Sequence, residues 1–363
     1  MQRTSTIPPY ASHTDSVQVV NNHIYDILGK EAIEFISKYV NIESRTTKIL
    51  ETSTRFNVDS LEDNSIRDFI NIKKINQLRY LNKFLESVNN KLPFYGHFVG
   101  CVETAEQRKR SILAKYTKVL VYPYYTLDFI VKRVLPKVGV TKKVYFILTK
   151  GHNRVISLPE TLGRLVSCGF EIIDHKEANN LTYFVAQKIA IPSYNMEPSY
   201  GPFFRMRRIG KDGKEIYVFK LRTMHPYSEY LQAYVYKMNN LQEGGKFKDD
   251  FRITTWGKLF RKLWLDELPM IVNWIIRDLK LVGVRPLSPH YLSLYRPALR
   301  VKRMKYKPGL IPPFYADMPK TLEEIMDSEE KYLDAYEKNP ILTDIKYFYK
   351  AWVNIFLKRA RSA

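Results

Sequence analysis

Asp266 and Glu267 stand side by side in the run Trp264-Leu-Asp-Glu-Leu-Pro-Met270, with Arg252, Arg261, Arg277 and Arg285 close by in sequence. Carboxylates beside arginines suit a site that handles a divalent cation and a phosphate together. The acids can hold Mg²⁺ or attack phosphorus, while guanidinium forks neutralise phosphate oxygens in pairs. The pattern points to phosphoryl-transfer chemistry. A plainer use of Asp-Glu-Leu-Pro exists: two acids just ahead of a helix can cap it and complement its dipole, with Pro269 in its first turn.

Taken alone, the acids fit the capping use better. An amphipathic helix is predicted over Trp256–Leu265, with Leu259, Phe260 and Leu263 on one side and Lys258, Arg261 and Lys262 on the other. The strongly apolar segment Leu268–Arg277 follows, leaving Asp266 and Glu267 at the junction. Upstream, residues 203–220 read as a β-hairpin turning at Gly210-Lys-Asp-Gly213. It leads into Lys220-Leu-Arg-Thr-Met224, where Lys220 and Arg222 lie two apart, so a strand would direct both to one side, a solvated face and a phosphate-binding one being equally open from this piece alone.

Bulk composition sets limits on the rest. The 363 residues suffice for two domains, and 45% apolar with 26% charged content is that of a globular chain. The excess of 58 Lys and Arg over 37 Asp and Glu, net +21, favours polyanionic partners: phosphorylated substrates, an anionic membrane surface or nucleic acid. The basic residues are spread along the chain rather than clustered on one helix, which argues against nucleic acid. Cys101 and Cys168 sit in apolar contexts as buried thiols, which fits a reducing compartment. The seven histidines show no zinc-ligand spacing, and no nucleophile elbow marks a hydrolase triad. No secretory signal and no transmembrane helix are predicted. The apolar stretch Val119–Val131, interrupted by Pro123 and Asp128, is too short to span; the overlapping segment Tyr122–Pro136, with Lys132 and Arg133, is placed in the protein core, a membrane interface being its other use.

Residues 1–20 are polar and expected to fray. Over 21–190 the pattern alternates helix and strand: a helix at 74–90, a strand at His97–Val102, a helix at Leu158–Gly169, and strands at Phe170–Asp174 and Leu181–Gln187, with 103–150 as an insertion. The order over 65–190 weakly resembles the second half of a class I methyltransferase-like Rossmann domain. The Gly-rich cofactor loop is missing, since Gly29 is the only glycine before residue 96. The expected fold class is thus α/β: a degenerate Rossmann-like domain at 21–190, a Pro-rich linker at 191–202, and a C-terminal α+β domain at 203–363. An amphipathic helix is predicted at 344–361, with Ile345, Phe348, Trp352 and Ile355/Phe356 opposed by Lys346, Lys350, Lys358, Arg359 and Arg361.

Several ordered motifs fall between about 202 and 315: Arg208-Ile-Gly-Lys-Asp-Gly213, Phe219-Lys-Leu-Arg-Thr-Met224, Asp250-Phe-Arg-Ile-Thr254, Gly257-Lys-Leu-Phe-Arg-Lys262, Leu265-Asp-Glu-Leu-Pro269, Asp278 to Pro286, and Lys307-Pro-Gly309. Together they resemble the bacterial sugar transferase family, the monotopic polyprenyl-phosphate phosphoglycosyltransferases. The resemblance implies transfer of a sugar-1-phosphate from a UDP-sugar to undecaprenyl phosphate, starting a surface polysaccharide such as O-antigen, capsule or exopolysaccharide. It implies Asp266 as nucleophile, through a covalent aspartyl intermediate, and Glu267 with Asp266 at Mg²⁺. Lys220, Arg222, Arg252, Arg261, Arg285 and Lys307 are the expected phosphate- or nucleotide-binding residues. It further implies a peripheral or monotopic place on the cytoplasmic face of the bacterial inner membrane, against its anionic surface; a homodimer is compatible and nucleic acid is not expected.

The chain departs from the family in three places. Residues 171–201 hold no hydrophobic re-entrant helix, the common Pro-Arg-Pro is Val284-Arg285-Pro286, and Leu310-Ile-Pro-Pro313 follows the Lys-Pro-Gly motif. Two readings without turnover compete: a basic nucleic-acid-binding protein, and an interaction subunit of a polysaccharide assembly.

Overall fold

The computed structural model of this chain describes residues 25–62, 66–115, 118–194, 200–238 and 250–357. The terminus expected to fray over 1–20 and the last turn of the helix expected at 344–361 lie outside these residues. The chain divides into two compact units, one of residues 1–198 with 229–231, the other of 199–228 with 232–363.

The first unit is mixed α/β. Helix α1 (Lys30–Ile36) leads to strands β1 (Thr47–Leu50) and β2 (Asp68–Lys74), helix α2 (Leu81–Lys91) and strand β3 (His97–Val102). Helices α3 (Ala105–Lys115), α4 (Lys118–Phe129) and α5 (Gly139–Thr149) precede α6 (Leu158–Ser167) and the closing hairpin of β4 (Phe170–Ala178) and β5 (Leu181–Lys188). The sheet order is β1-β2-β3-β5-β4. β1, β2 and β3 pair in parallel, while β5 enters antiparallel between β3 and β4. The central strands β3 and β5 are largely buried and apolar, while β2 alternates apolar residues with polar ones such as Asp68 and Asn71. Phe98 is the hub of the core, with the rings of Phe69, Phe84, Phe170 and Phe184 between 5.4 and 6.4 Å from its own.

Two expectations are corrected here. The helix predicted from 74 starts only at Leu81, because Lys74 ends a parallel strand and Ile75–Gln77 forms a 3₁₀ turn. The Tyr122–Pro136 segment is not core: Tyr122, Leu127 and Ile130 are exposed, because Asp128 and Arg133 turn inward to ion pairs and leave the apolar side facing out. Cys101 and Cys168 are buried and free, and burial pushes both thiols up to about 12. These are inert core groups.

The second unit begins with a hairpin of β6 (Phe203–Ile209) and β7 (Glu215–Leu221), whose turn carries Asp212 and Gly213 at positive φ. Helices α7 (Thr255–Leu263) and α8 (Met270–Ile275) flank the acidic pair. The short strands β8 (Lys280–Val282) and β9 (Gly309–Ile311) pair in parallel. Helix α9 (Pro297–Met304) lies between β8 and β9 in sequence, and α10 (Phe314–Asp317), α11 (Leu322–Lys338) and α12 (Pro340–Phe356) complete the unit. The helix expected at 344–361 thus starts four residues earlier. Its inner face is Tyr347, Ala351 and Ile355, so Ile355 belongs to the core and not to the outer apolar face of Ile345, Phe348 and Trp352.

Candidate active site

The acidic pair is placed by two helix ends. Thr254 caps α7 by accepting from the Gly257 N–H at 2.8 Å, and its own N–H and hydroxyl both donate to the Thr223 carbonyl. Gly257 allows this approach, since a Cβ there would stand 1.9 Å from the Thr223 oxygen. At its other end α7 stops at Trp264, a non-glycine residue at φ 61, held by its indole ring packed 4.6 Å from the Tyr315 ring. The chain then makes the 3₁₀ turn Leu265–Glu267, and α8 begins after Pro269.

Neither acid caps α8: its N-cap is Pro269, without a side-chain cap bond. Glu267 instead accepts a 2.6 Å hydrogen bond from Lys220 Nζ on β7, with both side chains largely buried. Asp266 is half-buried beside it. Burial raises its carboxyl pKa above the ordinary value and the Glu267 charge adds to this, while Lys220 and Arg261 oppose it.

A cleft of about 400 Å³, its open mouth included, lies against Glu267; Asp266, the preceding residue on the same turn, is not among the residues that line it. Arg208, Lys220, Glu267 and Arg285 line it, with Met206, Val218 and Met270 as its apolar wall and Gly309, Pro312 and Tyr315 among the remainder. Three cations therefore face one carboxylate. Among the described residues neither Arg208 nor Arg285 has an acidic partner; Arg208 donates to the Arg207 carbonyl and approaches the Met206 sulfur. Burial lowers the Arg208 guanidinium below its usual value, and the Arg285 charge acts in the same direction. Two crowded guanidiniums without an acid create a local demand for an anion.

β7 owes its position to Asn273 on α8, which is fully buried. Its Oδ1 accepts from the Phe219 N–H at 2.9 Å, and its Nδ2 donates to the Tyr217 carbonyl at 2.7 Å. One side chain thus completes the strand edge that carries Lys220. On the far wall, Gly309 passes so close to Gly283 that a Cβ would stand 2.1 Å from the Gly283 nitrogen.

The other residues expected at phosphate lie differently. Arg261 feels the Asp266 and Asp250 charges, and its Nε donates to Thr223 Oγ1 at 3.0 Å. It adjoins the acidic pair without lining the cleft. Arg252 is buried and gripped through two nitrogens by Asp250, at 2.8 and 2.7 Å, which neutralises it. Arg222 does not share the Lys220 face, because β7 ends at Leu221; its Nε donates to the Gly201 carbonyl and its guanidinium lies over the Phe204 ring. Lys307 is exposed and outside the cleft lining.

Sequence reasoning missed Arg208 and Asn273 as contributors. A signal for Arg208 was present: residues 204, 206 and 208 alternate onto the inward side of β6, where Met206 is apolar. Asn273 gave none, since its partners lie 54 and 56 residues away.

As to Mg²⁺, no group of three or more His, Cys, Asp or Glu among the described residues is arranged to hold a metal. Asp266 and Glu267 supply hard oxygen donors, one Glu267 oxygen being engaged by Lys220. That donor set fits an ion which takes one or two carboxylates and completes its shell with water and substrate phosphate oxygens.

Comparison with known proteins relates this site to a family. Residues 180–358 match the family described as Bacterial sugar transferase. The chain is 37% identical over 108 residues to the uncharacterized sugar transferase EpsL of Bacillus subtilis (strain 168), covering 30% of this chain and 47% of that protein. It is 34% identical over 113 residues to the exopolysaccharide production protein ExoY of Sinorhizobium fredii, covering 30% and 50%. A match of 35% over 115 residues to the UDP-glucose:undecaprenyl-phosphate glucose-1-phosphate transferase of Xanthomonas campestris pv. campestris covers 31% and 22%. The chain spans at most about half the length of these relatives. Among solved structures, a SAM-dependent methyltransferase from Thermotoga maritima aligns at TM-score 0.22 and 13% identity, over 36% of this chain and 61% of that one; a likeness that slight carries no weight for the fold. Over residues 180–358, just under half of its length, this chain is thus similar to the bacterial sugar transferase family.

Proposed function

We propose that this chain transfers a sugar-1-phosphate from a UDP-sugar to undecaprenyl phosphate, in two steps through Asp266. The observation that carries the reading is the cleft itself: Arg208 and Arg285 without acidic partners among the described residues, Lys220 tied to Glu267, and Asp266 on the same turn as Glu267 with a raised pKa. In the first step an Asp266 carboxylate oxygen attacks the phosphorus that bears the sugar. The bond from that phosphorus to the bridging oxygen breaks, and UMP leaves with the electron pair. In the second step a phosphate oxygen of the lipid attacks the same phosphorus, and the Asp266 carboxylate departs unchanged. Arg208, Arg285 and Lys220 bind and orient the diphosphate and neutralise the charge that grows on the departing UMP. Glu267, fixed by Lys220 at the cleft wall, anchors the turn that carries Asp266. Mg²⁺, held by Asp266 and Glu267 with phosphate oxygens, would supply further charge neutralisation at the phosphates.

A lipid acceptor requires contact with the bilayer, and the second unit offers a surface for it. Trp256, Leu259 and Leu263 on α7, and Ile271, Trp274 and Ile275 on α8, are all at least 41% exposed. These two helices flank the acidic turn, so an apolar surface sits beside the site that the polyprenyl chain must reach. No helix among the described residues is long and apolar enough to cross a membrane. Our reading assigns attachment, from the cytoplasmic face of the bacterial inner membrane, to these exposed apolar faces of α7 and α8. In the first unit, the parallel order of β1, β2 and β3 with connecting helices supports a Rossmann-like domain that has lost its cofactor loop.

The test is UMP release from detergent-solubilised protein given undecaprenyl phosphate, Mg²⁺ and a panel of UDP-sugars. Release with at least one donor, abolished in Asp266→Asn, is expected. No release with any donor, joined by tight salt-dependent nucleic-acid binding, would favour the competing reading.

A further inference from the structure

Helix α4, with the π-helical turn Ile130–Val134 after it, is built inside out. Asp128, Lys132, Arg133 and, just beyond, Lys137 point into the first unit. Asp128 is gripped by Arg108 through two nitrogens, at 2.6 and 2.8 Å, and by Lys132 at 2.8 Å. Lys137 and Arg133 reach Glu160 on α6 at 2.7 and 3.6 Å, beside Arg164. Burial alone would raise the Glu160 carboxyl, but Lys137, Arg164 and Arg133 hold it well below the usual range. The outward side is apolar. Leu120, Tyr124, Leu127, Ile130 and Val134 recur at helical spacing and are 38 to 65% exposed. On α5, Val144, Ile147 and Leu148 form one stripe, at 55, 76 and 78%, while Tyr145 on the opposite face is buried. An ordinary surface helix shows the reverse arrangement.

Charge says what covers this face. Asp128, the single acid in residues 118–150, is buried against Arg108 and Lys132, while Lys142, Lys143 and Lys150 are exposed, so the outward side carries basic charge only. Exposed Lys143 and Lys150 lie along one flank of the α5 stripe. A second copy would bring two such surfaces together and repel, whereas an anionic lipid leaflet complements both the apolar stripe and its basic edge. We infer that the α4–α5 insertion of the first unit is a membrane-docking element in its own right, which seats Leu127, Ile147 and Leu148 among lipid headgroups and acyl ends with Lys143 and Lys150 at anionic phosphates. The choice of a bilayer rests in part on the transferase reading, whose acceptor is a membrane lipid.

The test uses the full-length protein and two sets of vesicles, phosphatidylcholine alone and phosphatidylcholine with phosphatidylglycerol. Partition is measured by flotation for the wild type, for Leu127→Glu with Leu148→Glu, and for Lys143→Glu with Lys150→Glu. The side chains are exposed, and circular dichroism together with the milder Leu127→Ser and Leu148→Ser pair controls for folding. The leucine variants should lose roughly tenfold or more in partition to both vesicle types. The lysine variant should lose partition to the anionic vesicles only. Unchanged partition in the leucine variants overturns the inference. So does a wild-type dimer in solution that Leu127→Glu dissociates, since a second copy is then the occupant. Failure of the transferase reading shows separately, as absent UMP release from wild-type protein in detergent, where no docking is needed.

Discussion

Lys220→Met removes the group that joins the hairpin to the acidic turn, and its effects can be worked from the geometry. Lys220 Nζ lies 2.6 Å from Glu267 Oε1, with side chains 17% and 18% exposed. A charge-assisted bond of this kind contributes about 1.5–3 kcal/mol. The same ammonium opposes the burial that raises the Asp266 carboxyl, and it lines the cleft where the diphosphate binds. Attack needs Asp266 ionised, so activity falls as pH drops through its folded pKa, and the wild-type acid limb lies above the ordinary carboxylate value of about 4. Without Lys220 that pKa rises further. The limb of kcat/KM therefore moves to higher pH in the variant, and kcat/KM near neutrality drops about 100-fold through loss of one phosphate-facing cation. The assay is UMP release at saturating lipid acceptor across a pH series. A variant limb that coincides with the wild-type limb, or moves to lower pH, would refute the placement of Asp266 as the titrating group.

Asn273→Leu leaves the Phe219 N–H and the Tyr217 carbonyl without their partner and should cost about 2–5 kcal/mol. All four tryptophans, Trp256, Trp264, Trp274 and Trp352, lie in the second unit, so urea unfolding followed by tryptophan fluorescence reads this loss there alone. Arg285→Met should lower kcat/KM for the UDP-sugar about 10- to 100-fold with the fold intact. Arg252→Met should instead strand the buried Asp250 carboxylate and destabilise the unit by about 3–5 kcal/mol. Asp266→Asn should raise the melting temperature at neutral pH. A carboxyl whose folded pKa is raised costs stability when ionised, so the gain is present above that pKa and shrinks as pH falls through it.

The hairpin over 203–221 was legible because alternation and the Gly-Lys-Asp-Gly turn are local signals, and they fix β6 and β7 to within a residue or two. Asp266 and Glu267 were legible as a pair, and their departure from a capping role became visible only with Lys220, 47 residues earlier, in contact. Spacing misled at Arg222, since two-residue alternation holds only while the strand continues and β7 ends at Leu221. β1 and β2 were not read at all. Thr47–Leu50 is short, and Asp68–Lys74 carries polar residues that are paired by the tertiary fold, as when Asn71 bonds the Thr52 backbone. At Tyr122–Pro136 apolar composition pointed to the core, whereas the structure turns the apolar side outward. Periodicity defines two faces of a helix, but which one turns inward was decided by Arg108 and Glu160, far away in sequence.

Esterification of a single side chain is the central claim, and intact-mass measurement tests it most directly. The protein, given a UDP-sugar that it turns over and no lipid acceptor, should gain the mass of one sugar phosphate. Peptide mapping should place that mass on Asp266, and added undecaprenyl phosphate should discharge it. Turnover without any adduct, or with the adduct on another residue and undiminished in Asp266→Asn, would contradict the account.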